Sequence, residues 1–494
     1  MNRFDLKVSR YLLGILLALV SLSFFGCSDN NNSGGDVVAY DPSKAVSISD
    51  FIPKDGGVGQ RLVVLGDNFG NDTSKVKVFV GGKRAVLINV KGNALYCYVP
   101  SQAYTGEVQV TVGDSLVGTQ TAIADSIFHY QRKMVVGTLV GYRNERDDQG
   151  WKDGPFETAS GFRNDGCLKF DPTDHDKLYV VFDGADIQLI DLKSRFVKTI
   201  ISKSSFDDKR LRSLDFTPDG KYMIVATDRD DRQNQSPSVW IVTRNEDGTF
   251  SNGSSRQILA AYKQCNGASL HPNGELYFNS YENGQVFRMD MQNYFNTVNN
   301  GGTWKPNFVD GNFKMLFTIQ DTGWEFQIDI HPSGKYAYIV VLNQHYILRT
   351  DYNDATHEFA PPYIVAGQMK TAGWVDGVGT SAQLNRPYQG TFVKNPEYVK
   401  EGREDVYDFY FCDNQNHCVR YLTPDGIVRT YAGRGSSTAA ADNNVWGTDD
   451  GDLRKVARFR DPTGIAYDER TNTFYILDTV GRKIRTISME KEQQ

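Results

Sequence analysis

The chain has 494 residues, 40% hydrophobic and 12% aromatic, which is enough apolar material for more than one globular core. Its formal net charge of -6 argues against a nucleic-acid partner, which would want a basic face. Apart from Cys27, the cysteines (Cys97, Cys167, Cys265, Cys412 and Cys418) are odd in number and scattered, which is no disulfide framework.

The apolar run from Tyr11 to Phe25 follows Arg3, Lys7 and Arg10 and is too short to span a bilayer comfortably, so it reads as the core of a secretory signal. It ends in Phe24-Phe-Gly-Cys27, which resembles a bacterial lipobox with two phenylalanines in place of the usual leucine and small residue. Residues 1–26 are then a lipoprotein signal peptide, and Cys27 is the lipidated mature N-terminus. Residues 27–44 begin Cys-Ser-Asp-Asn-Asn-Asn-Ser-Gly-Gly-Asp36, a polar tether with nothing to bury. Together these features resemble surface-exported lipoproteins of Bacteroidetes-type bacteria. The resemblance implies an outer-membrane protein, exposed at the cell surface and touching the membrane through its lipid alone.

Residues 45–130 alternate with period two between glycine turns. Leu62-Val-Val-Leu-Gly66-Asp-Asn-Phe69-Gly is followed by Val76-Lys-Val-Phe-Val-Gly-Gly82, Tyr98-Val-Pro100 and Gly106-Glu-Val-Gln-Val-Thr-Val112. Such a pattern predicts a small β-sandwich. The Gly-x-x-Phe-Gly elbow, the Gly-Gly hairpin, Val-Pro and the closing Gly-x-Val-x-Val-x-Val strand resemble an IPT/TIG immunoglobulin-like domain. That resemblance implies a spacer or interaction module without chemistry of its own.

Residues 131–494 are repetitive. Asp413 to Leu422 (D-N-Q-N-H-C-V-R-Y-L) matches Asp478 to Ile487 (D-T-V-G-R-K-I-R-T-I), and each follows a Gly-rich block, Gly373 to Gly377 or Gly447 to Gly451. Weaker copies precede them: Leu168-Lys-Phe-Asp-Pro172, Leu214-Asp-Phe-Thr-Pro218-Asp-Gly, Ser269-Leu-His-Pro272-Asn-Gly and Ile328-Asp-Ile-His-Pro332-Ser-Gly each lead through a turn into a second apolar strand. Six such units predict a closed β-propeller, whose radial repetition leaves only short strand edges. The last two units resemble NHL repeats; the first four lack Asn-His-x-[Ile/Val]-Arg. The fold class expected is therefore all-β, an IPT/TIG sandwich followed by a six-bladed NHL-type propeller. Closure is expected to pair a strand near Met134 to Val140 with the final blade.

No nucleophile elbow, zinc-protease helix or phosphate loop occurs, so no catalytic residue is assigned. His271 and His331 share one slot before proline in two repeats, which is a repeated turn before it is a metal site. Asp449-Asp-Gly-Asp452 has the beginning of a calcium loop without its distal glutamate, so no metal or other cofactor is assigned, and calcium at this loop stays the alternative. Cys412 and Cys418 flank one hairpin, where they either pair or pack in the core.

A flat indole stacks on the apolar face of a sugar while polar neighbours meet its hydroxyls. Trp151, Trp324, Trp374 and Trp446 lie in or beside loops before a strand, with Arg163, Arg212, Glu325, Arg386, Tyr388, Arg460 and Asp461 at the strand starts. Repeat geometry places all of these near one mouth of the channel, as a ligand face. The expected partners are a glycan or oligosaccharide and an outer-membrane transporter complex, and the expected function is glycan binding in support of polysaccharide uptake. A propeller lyase or hydrolase acting on polysaccharide or peptide is the alternative, and an adhesion scaffold the third reading.

Overall fold

The structure is a computed structural model that describes residues 39–100, 103–116, 118–141, 151–207, 210–228, 236–261, 265–280, 284–307, 311–319, 326–435 and 445–491. The expected signal peptide, Cys27 and most of the tether lie outside the described residues, as do Trp324 and Glu325. The chain divides into two compact units, residues 1–131 and 132–494.

The first unit is a β-sandwich. One sheet runs Ser47–Ile52, Arg61–Asp67, Ala94–Tyr98, Val86–Lys91; the other runs Asp55–Gly56, Gly118–Tyr130, Gly106–Asp114, Val76–Val80, Lys83–Arg84. The period-two pattern does what it predicted: Val108, Val110 and Val112 point inward from one strand, and Leu62 and Val64 meet them from the opposite sheet with Phe51, Phe69 and Phe128. Gly66 is obligatory, because a Cβ there would stand 2.0 Å from the Ser47 carbonyl oxygen.

The second unit is a six-bladed propeller among the described residues. Its inner strands are Gly166–Phe170, Arg210–Phe216, Ala268–Leu270, Phe326–Ile330, Pro387–Lys394 and Pro462–Asp468, each heading an antiparallel blade. Each touches the next, and the sixth returns to the first, so the ring closes. The closing strand is Met134–Val140, which pairs with Lys483–Met489 of blade 6, Met134 opposite Met489 and Val136 opposite Ile487. The first and last segments of the unit thus complete one sheet. We call the end where inner strands begin the upper face, and the other the lower face.

The repeated motifs are structural parts. His271 accepts the Asn273 amide on Nδ1 at 3.2 Å and His331 accepts the Ser333 amide at 3.1 Å, closing the turn as the Asp171 carboxylate does for the Thr173 amide at 2.9 Å. Arg420 and Arg485 are both wholly buried. Arg420 donates to Asp413 (2.9 Å), Asp376 (2.8 Å) and the carbonyls of Gln383 and Val375, pinning the Gly-rich loop onto blade 5. Arg485 does the same in blade 6 with Asp478 (3.1 Å), Asp450 (2.6 Å) and the carbonyls of Arg458 and Asp449. The five described cysteines are unpaired and buried, Cys412 and Cys418 included, so all serve as small core residues.

Candidate functional site

The described upper-face residues are each held by contacts of their own. Trp374 donates its indole N–H to Thr430 Oγ1 at 2.9 Å and abuts Gly435, within its own blade. Trp446 lies under the Arg460 guanidinium, 4.3 Å from its ring, and Trp151 packs on Phe182 with centroids 4.6 Å apart. Among the described residues no ring contact joins these tryptophans to one another. Tyr388 is 2% exposed and belongs to the core. Arg212 is buried too and, with Arg210, binds Asp183 at 2.7–2.8 Å, tying blade 2 to blade 1. Arg163 is exposed.

Arg386 and Asp461 precede the inner-strand prolines in left-handed backbone, at φ 60° and 58°. The Arg386 amide meets His345 Nδ1 at 3.0 Å and the Asp461 amide meets His417 Nδ1 at 3.2 Å. Each histidine, at the hairpin of one blade, therefore positions the strand start of the next. The Asp449–Asp452 loop is likewise engaged by protein: Asp450 binds Arg485 and Thr138, and Asp452 caps the amides of Arg454 and Lys455. Among the described residues no set of His, Cys, Asp or Glu is arranged to hold a metal.

On the propeller axis a cavity of about 210 Å³ is lined by Lys169, Asp215, Ser269, Asp329 and Thr391. Lys169 pairs with Asp215 at 2.8 Å. Asp329 Oδ2 finds no hydrogen-bond partner among the described residues, and burial pushes this carboxyl up to about 7 against the pull of Lys169. The folded pKa is thus above the unfolded value of about 3.9, so the folded state holds the extra proton between these values and stability falls as pH rises from about 4 to 7. Asp329→Asn is expected to flatten this fall, which thermal melts of both proteins across that range will show. Equal slopes would mean that Asp329 titrates normally.

A cleft of about 670 Å³ lies near the lower face, between blades 5 and 6. The sequence explains its position. Most first-to-second-strand links are tight turns, but blade 5 inserts the helix Pro396–Glu401, started by Asn395 and stopped by Gly402 at φ 67°. The helix walls one side with Pro396 and Val399, while Tyr410 and Tyr431 of blade 5 meet Tyr467 and Phe474 of blade 6 on the other. The rings hold one another, with centroids 4.7 Å apart for Tyr410 and Phe474, 5.0 Å for Tyr410 and Tyr431, and 4.8 Å for Tyr467 and Phe474.

Polar groups are set into this wall. Asn395 caps the helix with its oxygen and donates its amide N–H to Asp408 Oδ2 at 2.8 Å, fixing that carboxylate. Asp408 is 2% exposed, its Oδ1 has no partner among the described residues, and burial raises its pKa despite the bonds from Asn395 and Tyr398. The Tyr467 hydroxyl donates to Asn472 Oδ1 at 3.0 Å, and burial pushes the Tyr431 phenol up to about 12, so it stays a neutral donor. Lys394, Lys400 and Glu469 complete the rim. An apolar wall with a few fixed donors and acceptors suits a polar ligand that has a flat apolar face.

Sequence reasoning missed this site. Its one available signal was Asp408 and Tyr410, polar groups on a strand face that an inter-blade contact would otherwise fill with aliphatic residues.

Comparison with known proteins fits this architecture. Residues 46–129 match the IPT/TIG domain family. No curated protein matches the chain. Three solved structures from Bacteroides cover 92% of the chain and 99–100% of their own length. A Bacteroides thetaiotaomicron protein under the name "Putative phosphatase" is 54% identical, with a TM-score of 0.83. An auxiliary nutrient binding protein of the same organism is 43% identical with a TM-score of 0.79, and one from Bacteroides ovatus is 36% identical with a TM-score of 0.63. The chain is an IPT/TIG domain protein with a six-bladed propeller. It belongs to the family that these Bacteroides proteins form.

Proposed function

We propose that this protein is a cell-surface lipoprotein with an NHL-type propeller, that it binds a glycan in the cleft between blades 5 and 6, and that it serves an outer-membrane uptake complex. The observation that carries this reading is the wall of Tyr410, Tyr431, Tyr467 and Phe474 beside the half-satisfied, buried Asp408. Sugar C–H groups stack on such rings, and the rim groups Lys394 and Glu469 meet the ring hydroxyls. Two of the three relatives above carry a nutrient-binding name, which supports the class. The anchor at Cys27 and the surface location rest on the sequence pattern.

The test is a glycan array on residues 28 to 494, with turnover and phosphate release measured on every hit. Saturable binding without product supports the reading, and consumption of a bound glycan or release of phosphate replaces it with an enzyme. Losing one stacking ring should cost on the order of 1–3 kcal/mol, about tenfold to a hundredfold in affinity. Tyr467→Ala, at a part-buried position, is the cleanest variant.

A further inference from the structure

Blades 1, 5 and 6 share a device that differs in one residue. Each folds the Gly-rich loop back as a two-residue outer strand, Gly154–Pro155, Gly377–Val378 and Gly451–Asp452. The aspartate just before the glycine, Asp153, Asp376 or Asp450, accepts both the amide and the hydroxyl of one threonine, Thr199, Thr430 or Thr138, at 2.7–3.1 Å. Opposite that threonine in register stands Arg420 in blade 5 and Arg485 in blade 6, the two buried clamps. In blade 1 the residue opposite Thr199 is Gln188.

A glutamine is shorter than arginine and has no fork to fill the space. Blade 1 has a cavity of about 200 Å³ at this place, bordered by Gln188, Thr199 and Trp151, the counterparts of Arg420, Thr430 and Trp374. Gln188 is 1% exposed, and its Oε1 has no hydrogen-bond partner among the described residues. A buried amide oxygen left in that state costs free energy, which a donor from outside would recover. Asp186 and Lys203 also line the cavity, and Gly184, at φ 70° with open space where a Cβ would stand, keeps its mouth clear.

We propose that this upper-face cavity is a second binding site, and that it takes a single sugar ring. The chemistry selects the ligand. Trp151 offers an aromatic wall and Gln188 Oε1 an acceptor, while Asp186, whose Oδ1 already takes the Lys203 amide at 2.9 Å, and Lys203 set one charge of each sign in the lining. A bare cation meets Lys203 and a bare anion meets Asp186, whereas a neutral polyol ring satisfies both kinds of group. The volume is below that of clefts that enclose drug-sized ligands, so it admits one ring and not a chain. The site lies at the opposite end of the blades from the cleft between blades 5 and 6, so it stands or falls independently of that cleft.

The test uses the full chain and the methyl glycosides of glucose, galactose, mannose, xylose and N-acetylglucosamine, followed by ligand-detected NMR with titration. Gln188→Arg installs the residue that blades 5 and 6 carry and fills the cavity. It is expected to keep or raise the melting temperature and to abolish binding of the glycoside that wild type takes. Trp151→Ala should weaken that binding at least tenfold, and Tyr467→Ala should leave it unchanged. Should Gln188→Arg fail to fold, Gln188→Leu removes the acceptor while keeping the bulk, and is expected to lose binding as well. Absence of binding to wild type by every glycoside of the panel overturns the proposal, as does binding that survives in folded Gln188→Arg or Gln188→Leu.

Discussion

Arg485→Ala is expected to destabilise the propeller by about 3–5 kcal/mol, the usual cost of removing one member of a buried ion pair. The arginine and Asp478 are both 0% exposed, so truncation leaves the carboxylate buried without its cation. Four acceptors lose their donor at once: two carboxylates and the carbonyls of Arg458 and Asp449. Burial already pushes the Asp478 carboxyl up to about 7 even with Arg485 beside it. Without the arginine the ionised form is worse still, so the penalty should grow as pH rises from 5 to 8. Urea unfolding at both pH values measures this. A loss below about 1 kcal/mol, or one that shrinks with rising pH, would show that the clamp is ornamental to the fold.

Removing the closing strand should be as damaging by a different route. Met134–Val140 is an outer strand of blade 6, and Val136 and Val140 are each 2% exposed. Deleting it strips a ladder from Lys483–Met489 and removes two buried valines from the core, at about 1.5–3 kcal/mol each, at the point where the ring is joined. A chain starting at residue 132 should therefore melt as one cooperative propeller, while a chain starting at residue 142 should melt broadly or aggregate. Matching transitions for the two fragments would mean that the inner-strand ring closes the propeller unaided.

Much of the fold was legible because its determinants are local. Alternation at Val108, Val110 and Val112 names a strand, and a turn such as His271-Pro-Asn-Gly274 names a hairpin whatever surrounds it. The closing strand was legible because six blades in a ring leave the ends of the repeat array one place to meet. Burial of Arg420 and Arg485 was not, since an arginine in a repeat reads as surface charge until its four acceptors, from well-separated segments, are brought around it. The same limit hid the cleft. Tyr410, Tyr431, Tyr467 and Phe474 come from four strands of two blades, and each sits in an alternation that reads as ordinary packing. The upper-face tryptophans drew attention because they share a sequence position, but equal positions in different blades are separated around the ring, so repetition alone does not bring them together.

The central claim is that ligand binds where the two last blades face each other near the lower end. Its most direct test is the affinity for the best glycan of the array, and the melting temperature, measured on wild type, Tyr467→Ala and Trp374→Ala side by side. Tyr467→Ala is expected to lose about tenfold to a hundredfold in affinity with little change in melting, and Trp374→Ala, which breaks the bond to Thr430, to melt lower while binding as wild type does. The reverse pattern, affinity lost with Trp374 and kept without Tyr467, would contradict it and return the site to the upper face.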